Sequence, residues 1–574
     1  MAASRCFPIA LLLGIALSAC AAGGGTATSA TADKLPLAST ASGNFLSGFS
    51  AQRNNDPTAA TEYFKAAMEV TPDEPLLLLR GLASALQDGR SDLSVRFSRK
   101  LESTETGSGL ASLTLALDEA KAGRYAESEQ RLSKLRRNGA NTILVPLLTA
   151  WARAGQQKYD EAIEALDSGR TAQNDLANVF ALHAGLISEI GGRLEAAERN
   201  FRVAAQGESP ALRTVIATGR FYERSGRPEE AMQLYTRFSE RAADPIYVAG
   251  EIARVRDKKA PPAPLSRSSD GMAEALFDLA SALQSERTAD LAQIYTQMAL
   301  WLKPDFAAAR LLLGSLLESE QRYAQANAAY SQAGGDAVYG WAAKLHMAGN
   351  LDQMGQSDEA VRVLESMAQE QPKRIDALVR LGDLWRAKAK GQGPRPEYEK
   401  ALDAYDRAIV RLDNPLQPHW TLFFSRAVVL ERSGRWERAE KDLLKALELE
   451  PDQPSVLNYL GYSWADQRVH LDRALPMIER AVELRPRDGY IVDSLGWVHF
   501  RLGNIDKALT YMERAVELRP QDPTINDHLG DVYWWVGRRA EARYQWERAL
   551  RLEPEPDQVP LIQEKVEKGL PPAK

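Results

Sequence analysis

The octamer ERAVELRP occurs at residues 479–486 and again at 513–520, a step of 34 residues. The step is not confined to the octamer. Ala474, Ala508 and Ala542 keep it, as do Ala481, Ala515 and Ala549, and Pro486, Pro520 and Pro554. Gly461, Gly496 and Gly530 share one phase, with one extra residue in the first loop. A fixed period of this length means a small unit stacked on copies of itself, because a unit so short cannot bury its apolar face alone. The small residues indicate how it stacks. The Gly lets two helices approach closely, and the two Ala let the second helix pack tightly on the first and on the next unit. The Pro ends the second helix, since it lacks an N–H and clashes with the preceding turn.

This pattern resembles the tetratricopeptide repeat (TPR), a helix-turn-helix unit of 34 residues. It predicts an all-α fold: a TPR α-solenoid coiled as a right-handed superhelix. The register runs back through Ala439, Ala446 and Pro451, with Ala427 at the Gly position. It continues through Ala360, Met367 and Pro372, then Ala292, Ala299 and Pro304, then Gly314, Ala326 and Ala333. It weakens earlier but survives at Gly219 with Ala231, Gly185 with Ala197 and Ala204, and Ala150 with Ala162, up to Gly48, Ala60, Ala67 and Pro72. Two stretches interrupt it. DKKAPPAPLSRSSDG, residues 257–271, reads as a linker or hinge. AKAKGQGPRP, residues 387–396, lengthens one loop inside a repeat. The predicted layout is a divergent array over 44–256, the break at 257–271, a second array over 272–555 and a capping helix with tail over 556–574.

The first residues, MAASRCFPIALLLGIALSAC, have one basic residue, Arg5, and an apolar run too short to span a bilayer as a permanent helix. They end in Leu17-Ser18-Ala19-Cys20, which is similar to a bacterial lipobox. In that reading residues 1–19 are a signal peptide and the Cys20 thiol carries lipid. The alternative is an ordinary secretory signal with an incidental cysteine. Cys6 lies inside the signal, so no intramolecular disulfide and no cysteine metal site is expected in the mature chain. Ala21 stands where an Asp typically retains bacterial lipoproteins in the inner membrane. By that resemblance the protein is lipid-anchored in the outer membrane of a Gram-negative bacterium, on its periplasmic side. Residues 20–43 are rich in Gly, Ala, Ser and Thr and read as a tether with a reach of roughly 25–30 Å.

A solenoid presents a long concave groove lined mainly by the first helix of each repeat. Read from the register, the groove residues of the last repeats are Asn458, Tyr462 and Asp466, then Tyr490, Asp493, Trp497 and Arg501, then Asp527, Asp531, Trp534 and Trp535. Aromatics and Arg dominate the energy of many protein interfaces, and ten of the eleven Trp follow residue 300. Trp464 and Trp546 read as repeat core, whereas Trp497, Trp534 and Trp535 are expected to be exposed. Asn458 and Arg501 are of the type that can grip a partner's C-terminal carboxylate. The net charge of −6 over 574 residues gives no basic field for nucleic acid. The six histidines make no HExxH spacing, and there is no GxSxG elbow or P-loop. No enzyme, metal or cofactor is therefore expected, and His499 and His528 read as packing residues of the first helix.

The stretch NYLGYSWADQRVHLDRALPMIERAVELRPRDGYIVDSLGWVHFRLGNIDKALTYMERAVELRP resembles the C-terminal part of a group of proteobacterial outer-membrane TPR lipoproteins. The lipobox, tether and long array resemble that group too. The resemblance implies an adaptor with no activity of its own. It would bind a periplasmic carboxy-terminal processing protease and substrates such as peptidoglycan hydrolases, raising their effective concentration at the membrane. Two other roles stay open: an assembly or pilotin-like scaffold for a secretion, pilus or polysaccharide-export machine, and a regulator of peptidoglycan enzymes.

Overall fold

The computed structural model describes residues 35–104, 108–172, 176–206, 210–241, 245–283, 285 and 287–571. Cys20 and most of the tether lie outside the described residues. Among those described there are thirty α-helices, from α1 (Ala41–Arg53) to α30 (Val559–Lys568), and no strand. Consecutive helices pack in pairs, such as α26 (Gly489–Arg501) with α27 (Ile505–Leu518), and α28 (Pro523–Trp535) with α29 (Arg539–Arg551). The first member of a pair is helix A and the second helix B.

Local chemistry sets the helix ends. Pro454 and Pro523 open helix A, where a missing N–H costs nothing. The carboxylate of Asp522 accepts from the Ile525 N–H, and that of Asp488 from the Tyr490 N–H, as N-caps. The A-to-B turn needs a left-handed residue, supplied by Gly503 (φ 78°) and Gly537 (φ 84°).

A recurrent contact closes many of the pairs. The helix-A glycine lies against a large helix-B side chain sixteen residues later: Gly48 on Phe64, Gly81 on Phe97, Gly185 on Phe201, Gly219 on Tyr235, Gly314 on Tyr330, Gly530 on Trp546. Added Cβ atoms would stand 2.3–2.9 Å from those rings. Gly461 meets Ile478 and Gly382 meets Tyr405, at longer spacings because their loops are longer. Trp464 and Trp546 are core residues, as the register predicts.

Helices A also touch the next helix A, as α24 (Pro454–Asp466) touches α26 and α26 touches α28. They therefore form the inner wall of the coil. The first array runs from α1 to α13 (Ala249–Arg256). The helix expected from residue 272 begins earlier: α14 spans Ser268–Ala282, so the non-helical link is 257–267. Likewise α1 begins at Ala41, inside the expected tether.

Gly530→Ala is expected to lower the thermal midpoint, because overpacking Trp546 costs about 1–3 kcal/mol against a helix-propensity gain of about 1 kcal/mol. Gly349→Ala, in a helix where a Cβ meets nothing closer than 3.8 Å, is expected to raise it. Circular dichroism melts of both variants measure the two signs.

Candidate functional site

The inner wall of the first array is not free. After the 257–267 link the chain turns back, and α14 lies on α7 (Asn141–Gly155), with further contacts to α5 (Gly109–Lys121) and α9 (Ala177–Ile190). All three are helices A. Its partner α15 (Ala289–Leu302) packs on α3 (Pro75–Gln87) and α5. Gly271 makes the approach possible: a Cβ there would stand 2.3 Å from the Trp151 indole.

Polar groups are matched across this contact. The Trp151 Nε1–H donates to His183 Nδ1 at 2.9 Å, so the imidazole proton sits on Nε2, which donates to Asp278 Oδ2 at 3.1 Å. Glu274 of α14 is buried and pairs with Arg213 and, at 3.4 Å, Lys303. Burial alone would raise Glu274, but those two cations outweigh it and hold its carboxyl below the usual value. Gln293 and Gln297 of α15 donate to the Gln87 carbonyl at 3.1 and 3.2 Å. Arg224 holds the link itself through the Pro262 carbonyl at 2.7 Å. One continuous apolar core runs through α2–α9 and α14–α18. The 257–271 stretch, read as a linker or hinge, thus leads into a fixed packing contact, because the helix after it is buried against the first array.

The second array has an inner wall of its own. Its middle repeats carry half-buried apolar side chains at one register position of helix A: Leu311, Leu345, Val379 and Phe424. The same position becomes polar in the last three repeats, as Asn458, Asp493 and Asp527. Arg432 and Glu555 pair at 3.3 Å across 123 residues of chain, joining the end of α22 (Trp420–Arg432) to the segment after α29.

The structure separates the predicted groove residues into three groups. Trp535 is exposed (43%), with its edge toward Phe500 at 6.0 Å, and Tyr490 is exposed (48%) under the Arg519 guanidinium. Tyr462 and Asn458 are half-buried; the Asn458 Oδ1 accepts no hydrogen bond among the described residues. Arg501 pairs with Asp466 at 2.8 Å and lies over the Trp497 ring, so its charge is already matched.

The second group is a correction. Trp497 is buried (6%), not exposed. His528 stacks on its face, 4.1 Å between centroids and 18° between planes, while its Nε1–H donates to Asp466 at 3.2 Å. Trp534 is half-buried, because Gly569 after α30 lies against it.

The third group is a buried charge cluster. Asp493 and Asp531 are buried rather than groove-facing. Asp493 accepts from His528 Nδ1 at 3.0 Å. Burial alone would lower the His528 imidazole, but the Asp493 carboxylate outweighs it and holds it above its usual value. Asp531 accepts from Trp546 Nε1 at 2.9 Å, and Lys565 of α30 reaches both Asp531 (2.9 Å) and Asp527 (2.7 Å). Burial pushes Asp531 up to about 6 despite Lys565. Sequence reasoning missed Lys565 and the His528–Asp493 pair. Both had a signal: Lys565 lies 34 residues after Asp531, and His528 lies 35 after Asp493.

Among the described residues no group of three His, Cys, Asp or Glu is placed to hold a metal ion, and no helix is long and apolar enough to cross a membrane. His499 stacks on Tyr511 at 5.6 Å.

Comparisons with known proteins agree with this architecture. Tetratricopeptide repeat families match residues 424–469, 468–523 and 215–245. The TPR repeat-containing protein PA4667 of Pseudomonas aeruginosa is 30% identical over 198 residues, 34% of this chain and 32% of that protein. This chain thus matches about a third of that relative's length. Two solved structures are similar at low scores. One is the APC/C hetero-tetramer Cut9-Hcn1 (14% identity, TM-score 0.37, 93% of this chain and 97% of that one). The other is a tetratricopeptide repeat protein from Parabacteroides merdae (15%, 0.35, 46% and 97%).

The His528–Asp493 pair has a pH signature. A raised imidazole adds stability that is complete below its unfolded value and is lost as pH rises through the folded one. Hydrogen exchange in α26 and α28 is therefore expected to quicken as pH rises above about 6.5, after correction for the intrinsic rate. Asp493→Asn is expected to remove that dependence.

Proposed function

We propose that this TPR protein is a non-enzymatic adaptor that presents the groove of its second array to protein partners. The observation that carries this reading is the unequal state of the two inner walls. The first is filled by α14 and α15 of the same chain. The second keeps an apolar ladder and the exposed Trp535. Exposed aromatics beside matched charges are the kind of surface on which a few side chains supply most of the affinity.

The partners proposed are a carboxy-terminal processing protease and its peptidoglycan-hydrolase substrates, held at the outer membrane by lipid on Cys20. This rests on the sequence resemblance of the lipobox, the tether and the 458–520 stretch. Bringing two partners to one tethered groove would raise their effective concentration without new contacts.

The test is affinity capture from the native envelope with the chain beginning after Cys20, followed by mass spectrometry. Retention of a processing protease together with cell-wall hydrolases is the expected result. A secretin, pilus or export component without a protease would replace it with an assembly role, and a peptidoglycan enzyme alone with a regulatory one. Trp535→Ala is expected to weaken capture about tenfold or more with helical content unchanged. In the full chain, Cys20→Ser is expected to move the protein from the membrane to the soluble fraction.

A further inference from the structure

The residue before the helix-A glycine sits beneath the slot between the two flanking helices B. In five repeats it is a buried leucine: Leu313, Leu381, Leu460, Leu495 and Leu529. In α22 it is Arg426, ahead of Ala427. Its guanidinium takes Asp406 of α21 (Pro396–Val410) at 2.6 Å and Asp442 of α23 (Trp436–Leu449) at 2.7 Å. In these six repeats the slot holds an apolar plug or a charge met from both sides.

In α11 (Leu212–Arg224) the residue is Thr218, ahead of Gly219. Threonine is too short to plug the slot, and a cavity of about 360 Å³ lies over it. Its walls include Arg202 and Gln206 on the side of α10 (Leu194–Ala204), Glu230, Gln233 and Arg237 of α12 (Pro228–Arg241), and Tyr222. The Thr218 side chain is buried (1%), and its hydroxyl makes no hydrogen bond among the described residues. A buried polar atom without a partner is costly, and such an atom in the lining of a cavity points to a ligand.

The charges invert those of the α22 slot. Arg202 stands five residues after Ala197, the register that Asp406 holds after Ala401. Arg202 shares the Glu198 carboxylate with Arg227, at 2.8 and 2.9 Å, and Arg227 lies 3.4 Å from Glu230. Arg237 has no ion-pair partner among the described residues. The charged side chains that line the cavity are two guanidiniums, Arg202 and Arg237, and one carboxylate, Glu230, an excess of one positive charge.

We propose that this slot binds a carboxylate group, held between Arg202 and Arg237 and accepting the Thr218 hydroxyl proton. One negative charge balances the excess, and a planar carboxylate suits the guanidinium fork. The cavity is larger than a lone ion needs, so the carboxylate arrives on a stem packed against Tyr222 and Leu234. Either a free dicarboxylate or a glutamate side chain of a bound polypeptide supplies that chemistry. The proposal does not rest on the reading of the second groove.

Titration calorimetry of the full chain in mild detergent, with glutarate and with the peptide Ac-Gly-Glu-Gly-NH2, tests it. Binding of glutarate identifies a free dicarboxylate, and binding of the peptide alone an acidic polypeptide. In either case Arg237→Gln is expected to weaken binding about tenfold or more at an unchanged thermal midpoint. Thr218→Leu, which restores the plug used in five other repeats, is expected to abolish binding and raise the midpoint. Absence of binding by both probes in the millimolar range, undiminished affinity in either variant, or equal binding of inorganic phosphate would overturn the assignment.

Discussion

Everything in this solenoid depends on a glycine giving up its side chain so that a large one can lie against it. The contact recurs from Gly48 on Phe64 to Gly530 on Trp546, nearly the whole length of the chain. It joins helix A to helix B within a repeat and sets how closely they approach. Because interiors pack at near-crystalline density, the aromatic cannot shrink and the glycine cannot grow. The period of 34 residues follows from this seat: both of its halves must reappear at the same phase, with the alanines that let the next repeat nest against it.

The same device works once outside the period, with a larger consequence. Gly271 lies against Trp151 and lets α14 settle on the inner wall of the first array. Two pairs accompany it: buried Glu274 with the partly exposed Arg213, and buried His183, which donates to the half-buried Asp278. Removing Arg213 would leave the buried Glu274 carboxylate without its nearest cation, a change that commonly costs about 3–5 kcal/mol, so the contact is held by charge as well as by packing. The chain is thereby divided into a first array packed with its own later helices and a second array without such a filling helix pair among the described residues.

Repeat architecture was legible in the sequence because it is carried by local, periodic residues: Gly461, Gly496 and Gly530, the alanines and the prolines. The fold-back was not. Gly271, Trp151 and Glu274 belong to no period, and their meeting depends on how the coil curves over more than a hundred residues. The groove was legible in part. Trp535 is exposed as its register suggests. Trp497 shares the helical face expected to line the groove, but His528, one repeat later, stacks over it. Asp493 and Asp531 are likewise covered, Asp493 by His528 of the next helix A and Asp531 by Lys565 of α30. Register gives the face of a helix; curvature decides what covers that face.

Native-state hydrogen exchange, resolved helix by helix by mass spectrometry on the full chain, tests the central claim most directly. If α14 and α15 are the packed filling of the first array, their amides exchange as slowly as those of α7 and open together with them, and Glu274→Ala speeds all three alike. Fast, independent exchange of α14 and α15 with α7 still protected would contradict the account, because the 257–267 link would then be a swivel and the first groove would be free.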